Sequence, residues 1–95
     1  MKINKIINYN DLVDIMKHNK VLLVDVRSKQ EFLEKHIDGA INIPLIDIKD
    51  NIGVYAHEFN QVIVLYCNAG IRSVKAQAIL FNRGYKNVYV LDSMY

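Results

Sequence analysis

Two stretches of the chain, Val21-Leu22-Leu23-Val24-Asp25-Val26 and Val62-Ile63-Val64-Leu65-Tyr66, are nearly unbroken runs of aliphatic and β-branched residues. Runs of this length without alternating polar positions predict strands covered on both faces, as in a parallel sheet. Val88-Tyr89-Val90-Leu91 predicts a last strand, Ile3, Ile6 and Ile7 a short first one, and Ala40-Ile41-Asn42-Ile43 a brief strand that Pro44 ends. Between the strands the apolar spacing lengthens to that of helices. Leu12, Ile15 and Met16 share one face behind a cap at Asn10 or Asp11. Ser28 and Glu31 stand at capping-box spacing before Phe32 and Leu33, so a strand turns directly into a helix there. Leu45, Ile48 and Ile52 are also at helical spacing, but Gly53 interrupts them, which predicts a short helix and then a loop. Val74, Ala78 and Phe81 line one face of a further helix that Arg83-Gly84 stops.

Alternation of strand and helix predicts an α/β fold, a small, mainly parallel sheet flanked by helices on both faces, because right-handed crossovers place them there. Ninety-five residues suit one domain, 1–95. With 52% apolar and 23% charged residues, the composition excludes a chain too polar to fold alone. The net charge is +2 and the charges are scattered, so no nucleic-acid partner is expected. No apolar run approaches the ~18 residues that cross a bilayer, and Asn4, Lys5 and Asn8 break up any leader-like segment at the N-terminus. A cytoplasmic protein with no membrane contact is the expectation. Cys67 is the one cysteine, and His18, His36 and His57 are too widely spaced to complete a ligand set with it, so no disulfide, metal or other cofactor is expected.

Candidate chemistry gathers where the second long strand ends. Cys67-Asn68-Ala69-Gly70-Ile71-Arg72-Ser73 joins that strand to the next helix, which puts the thiol at the carboxyl end of a parallel strand, where open α/β sheets place ligands. Gly70 lets the short loop curl with successive N–H groups turned inward, and the loop runs into a helix N-terminus that carries partial positive charge. Such a cradle prefers an anion. Its amides and the Arg72 guanidinium are expected to favour thiolate over thiol, lower the Cys67 pKa and make it a nucleophile. A cysteine ending an apolar strand can also be a mere small core residue, but the compact Gly, Arg and Ser that follow favour the reactive reading. Arg72 has the alternative of a plain surface position, and Ser73 either donates to the loop or caps the helix. Asp25, inside an apolar strand, needs a hydrogen-bonding partner, and Arg27 is the basic side chain at hand. That pair reads as structural, and His36 as a turn residue packing its ring.

The segment Cys67 to Ser73 resembles the active-site loop of rhodanese-like sulfurtransferases. Three other stretches match that family in order: Asp25-Val26-Arg27 with Glu31-Phe32, then His36-Ile37-Asp38-Gly39-Ala40-Ile41-Asn42-Ile43-Pro44, then Gly84-Tyr85 with Val88 to Leu91. The resemblance covers nearly the whole chain and implies an α/β sheet sandwiched by helices. It implies that Cys67 takes a sulfane sulfur from a donor such as thiosulfate or a persulfide, holds it as a persulfide, and passes it to a thiophilic acceptor. Asn68, Ala69, Gly70, Ile71, Arg72 and Ser73 would then bind the substrate, with Asp25 and Arg27 bracing the strand end. Small molecules or proteins can serve as donor and acceptor, and a non-catalytic or sulfur-relay protein-binding module is the alternative role. Four residues separate Cys67 from Arg72, as in the sulfur-transferring members, whereas the related cell-cycle phosphatases and arsenate reductases use one more. A single sulfur fits a tighter ring than the several oxygens of a phosphoryl group.

The chain departs from the family pattern in three places. Family members usually carry Gly-Gly and a covering helix after the last strand, and here Leu91 is followed by Asp92-Ser93-Met94-Tyr95. Asp38 stands where proline is common, and Lys35 where glycine is. The short ending predicts an apolar patch suited to a partner or a second copy, and it is compatible with a monomer or a homodimer.

Overall fold

In a computed structural model, which describes residues 5–93, strand and helix alternate along the chain. The elements are β1 (Ile6–Ile7), α1 (Tyr9–His18), β2 (Val21–Asp25), α2 (Lys29–Glu34), β3 (Ile41–Asn42), α3 (Ile48–Tyr55), β4 (Val62–Tyr66), α4 (Ile71–Arg83) and β5 (Asn87–Leu91). A 3-10 turn, Leu45–Asp47, leads into α3. The strands form one sheet in the order β1-β5-β4-β2-β3, and every pairing is parallel.

The two aliphatic runs lie side by side at the centre, in register from Val21 beside Val62 to Asp25 beside Tyr66. From β2 the chain moves outward to β3, and from β4 it moves the opposite way to β5. Loops leaving the carboxyl ends of these neighbours therefore diverge, which is the arrangement that opens a crevice in α/β sheets. Arg27 and Cys67 begin those two loops.

Each face of the sheet has its own core. Val24, Val26, Ile63, Leu65 and Val88 pack with Ile48 and Ile52 of α3 and with Ala76 and Leu80 of α4. On the other face Leu23, Val64, Tyr66 and Leu91 pack with Leu12 of α1 and with Ile37. Each fully covered aliphatic side chain contributes roughly 1.5–3 kcal/mol, and the polar groups among them are paired. The Tyr66 hydroxyl accepts from the Ile37 N–H (3.0 Å), the Tyr85 hydroxyl donates to the Ala56 carbonyl (2.7 Å), and Gln77 Nε2 donates to the Val88 carbonyl (2.9 Å).

Several local expectations are corrected. The cap of α1 is Asn8, not Asn10 or Asp11: Asn8 Oδ1 accepts from the Asp11 N–H (2.8 Å) while Asp11 Oδ2 accepts from the Asn8 N–H (3.0 Å). Two reciprocal bonds outweigh the single bond a later cap would make. Of the first strand, Ile3 lies outside the described residues. The strand expected over 40–43 reduces to Ile41–Asn42. Helix α3 continues through Gly53, because a mid-helix glycine costs only about 1 kcal/mol and Ile48 and Ile52 on the same helix are wholly buried. Helix α4 buries Ser73, Ala76, Gln77 and Leu80, whereas Val74 and Ala78 face outward and Phe81 is half-buried. Ile6, Ala69, Ile71 and Val74 are exposed and, with the buried Val90, border an open groove of about 550 Å³ beside the Cys67 loop.

Candidate active site

Cys67 follows the last residue of β4 and is 2% exposed, so its sulfur lies at the floor of the loop. The chain crosses above it and turns at Gly70, whose φ of +83° is the left-handed value that favours glycine. That turn aims main-chain N–H groups inward. Gly70 N–H donates to Cys67 Sγ at 3.2 Å and Ser73 N–H at 3.4 Å. The thiol itself donates to Ser73 Oγ at 3.4 Å, and the Ser73 hydroxyl donates to the Gly70 carbonyl at 3.2 Å. Ser73 therefore belongs to the loop and does not cap α4. Burial pushes the Cys67 pKa up, but the Ser73 hydroxyl and the amides of Ser73, Gly70 and Arg72 outweigh it, and the net shift is downward. When the thiol ionises, the Ser73 hydroxyl can swing from the Gly70 carbonyl to donate to the sulfur.

Arg72 brings its charge to the sulfur through space, with its side chain paired elsewhere. Its guanidinium closes a bidentate pair with Glu31, Nη1 to Oε1 at 2.7 Å and Nη2 to Oε2 at 3.1 Å. Its main-chain amide acts on the sulfur directly, while its charge, closed on Glu31, reaches Cys67 only through space. Glu31 also accepts from the Ser28 N–H (3.1 Å) and hydroxyl (3.0 Å), completing the capping box of α2, and from Asn68 Nδ2 (3.2 Å). The Arg72 fork first, then the Ser28 amide, pull its carboxyl down to about 2. Asn68 and Arg72 thus fasten the loop to the start of α2. The sequence marks Glu31 only as half of a capping box; a second signal is that a cation at a helix N-terminus, where the dipole opposes it, calls for a carboxylate nearby.

The pair of Asp25 and Arg27 forms as expected. Arg27 Nε lies 3.1 Å from both Asp25 oxygens, Nη2 lies 2.7 Å from Oδ2, and the Arg27 N–H donates to Oδ1 at 2.8 Å. Arg27 also reaches the Lys35 carbonyl and, at 3.4 Å, Asn68 Oδ1. Asn42 Nδ2 donates to the Asp25 and Arg27 carbonyls, both at 3.0 Å. This network braces the end of β2 and touches the loop through Asn68. Ala69 and Ile71 border the groove, Ile71 being 64% exposed. His36 stacks on Phe32 (ring centroids 3.8 Å apart), a packing role.

A parallel α/β sheet with a cysteine under inward-turned amides at a strand end defines the class of anion-cradling sites. Residues 8–94 match the rhodanese-like domain family, and the chain belongs to it. It is 40% identical over 65 residues to thiosulfate sulfurtransferase PspE of Escherichia coli K12, covering 68% of this chain and 62% of that protein. It is 34% identical over 83 residues to a tRNA uridine(34) hydroxylase of Buchnera aphidicola, covering 83% of this chain and 27% of that protein. The chain therefore spans less than two thirds of the length of these curated relatives. Among solved structures, a rhodanese with anions from E. coli superposes with a TM-score of 0.75 at 35% identity, covering 79% of this chain and 88% of that one.

Proposed function

We propose that the chain, a single rhodanese-like domain over 1–95, is a sulfurtransferase that moves a sulfane sulfur from a donor to a thiophilic acceptor through a persulfide on Cys67. The observation that carries this reading is the convergence of the Gly70 and Ser73 N–H groups on Cys67 Sγ. The similarity to a thiosulfate sulfurtransferase supports thiosulfate as one donor.

In the first half-reaction the Cys67 thiolate attacks the outer sulfur of thiosulfate. A bond forms from Sγ to that sulfur, the donor's S–S bond breaks, and sulfite departs with the electron pair. The transferred sulfur now carries the negative charge and sits among the amides that held the thiolate. In the second half an acceptor nucleophile such as cyanide attacks the outer sulfur, the bond to Sγ breaks, and the Cys67 thiolate returns. Asn68, Ala69, Gly70, Ile71, Arg72 and Ser73 supply the ring around the sulfur, and Asp25 and Arg27 hold its base. A ring of six residues suits one sulfur better than a phosphoryl group, which places phosphatase chemistry second among the enzymatic readings.

Protein persulfides are further donors or acceptors in this proposal, since the loop rim is exposed at Asn68, Ala69 and Ile71. A cytoplasmic setting suits the reduced lone thiol. No helix among the described residues is long and apolar enough to cross a membrane. Intact mass after incubation with thiosulfate is the test. Gain of one sulfur, its loss to cyanide and its absence in Cys67→Ser support the reading; a chain that gains no sulfur from thiosulfate or organic persulfides overturns it.

A further inference from the structure

The mouth of the Cys67 loop offers an incoming donor little positive charge. Arg72 is closed on Glu31 and Arg27 on Asp25, so each pair sums to zero. Lys75, the next cation along α4, borders the groove together with Asp92. Glu31 holds the first pair firmly: its two oxygens receive five hydrogen bonds, from the Ser28 amide and hydroxyl, Asn68 Nδ2 and both Arg72 nitrogens. The rim beside the sulfur is apolar, at Ala69, Ile71 and Val74.

We propose that Glu31 sets the donor preference of this site: by withdrawing the Arg72 charge it disfavours the thiosulfate dianion and favours organic persulfides of low charge. The inference rests on the sulfurtransferase reading and specifies the substrate class of the same site. Attack on thiosulfate brings three negative charges together in the loop, one from the Cys67 thiolate and two from the donor. Attack on a protonated persulfide R–S–SH brings only one. There the bond from Sγ to the outer sulfur forms, the donor S–S bond breaks, R–S⁻ leaves with the electron pair, and the proton stays on the new Cys67 persulfide. A free guanidinium would help the first reaction far more than the second. Glu31 is thus a specificity-determining, positioning residue.

The test compares persulfide loading of the wild-type chain and Glu31→Gln, with thiosulfate and with 2-hydroxyethyl persulfide, whose carrier is uncharged. Glutamine keeps an oxygen for the Ser28 cap and removes the charge. At low salt the expected result is a gain of about tenfold with thiosulfate, a change within about twofold with hydroxyethyl persulfide, and loss of the gain at high salt. In Glu31→Gln/Arg72→Gln the gain should disappear. Equal changes with both donors, or a gain that survives the second substitution, overturn the proposal. A readout independent of sulfur transfer is the ratio of Cys67 alkylation by iodoacetate, an anion, to that by neutral iodoacetamide. The ratio should rise several-fold in Glu31→Gln, and an unchanged ratio overturns the proposal. Wild-type chain that loads no sulfur from either donor overturns the sulfurtransferase reading itself, whereas normal loading with unaltered selectivity in Glu31→Gln overturns only the role of Glu31.

Discussion

The Gly70 N–H points at Cys67 Sγ from 3.2 Å because the backbone at Gly70 is left-handed, with φ at +83°. A Cβ at this position would meet no atom within 4 Å, so Gly70→Ala is opposed by backbone conformation alone. That conformation costs a non-glycine residue about 1–2 kcal/mol. The variant should be less stable by about that amount in urea unfolding. Any relaxation of the turn swings the amide off the sulfur, so Cys67 should titrate higher and load sulfur more slowly. A stability loss with an unshifted Cys67 titration would remove the Gly70 amide from the cradle.

Ser73 is wholly buried; its amide donates to the sulfur and its hydroxyl oxygen accepts from the thiol. Alkylation of Cys67 followed against pH should have its midpoint below the ordinary thiol value, and Ser73→Ala, which keeps the amide, should move it part of the way up. The sign for stability follows. With the folded pKa below the unfolded one, the unfolded chain binds more protons between the two values, and stability rises with pH across that window. An alkylation midpoint at or above that of a free thiol would mean that burial, and not hydrogen bonding, governs Cys67.

What could be read from the sequence follows from how local each determinant is. Strands β2, β4 and β5 stand out as aliphatic runs, and the Ser28–Glu31 cap is legible because its partners are three residues apart. The buried face of α4 is misread by periodicity because two of its members, Ser73 and Gln77, are polar. They are buried for the hydrogen bonds they make to the Gly70 and Val88 carbonyls, which a hydrophobic pattern cannot register. Cys67 and its loop are legible because strand, glycine and helix start are contiguous. The partner of Arg72 lies 41 residues away, across a crevice that only the strand order creates.

Asp25 and Arg27 form an ion pair whose side chains are 0% and 6% exposed. Removing one partner of such a pair leaves an uncompensated charge, at a cost of about 3–5 kcal/mol. Arg27→Met should therefore destabilise the fold by about that much in urea unfolding. The double substitution Asp25→Asn/Arg27→Met should recover part of the loss, since no bare carboxylate remains. Loop function should fall with the first change even where folding survives, because Arg27 also reaches Asn68. A cost below about 1 kcal/mol would show that the pair behaves as a solvated surface contact.

Glu31 carries the clearest acid signature. Its carboxyl is pulled from 4.5 down to about 2, first by the Arg72 fork and then by the Ser28 amide. A depressed folded pKa means that the unfolded chain binds more protons between these values, so stability rises with pH there. The contribution is complete above the unfolded value and is lost as pH falls through about 2. Both side chains of the pair are about a third exposed, at 36% and 30%, so solvent and salt weaken the effect. Glu31→Gln should lower the urea midpoint at pH 7, and the gap to wild type should narrow progressively below about pH 4. Added salt should shrink the gap at pH 7 as well. A gap equally wide at neutral and acid pH would assign the loss to the shape of the α2 cap and not to the charge that holds Arg72.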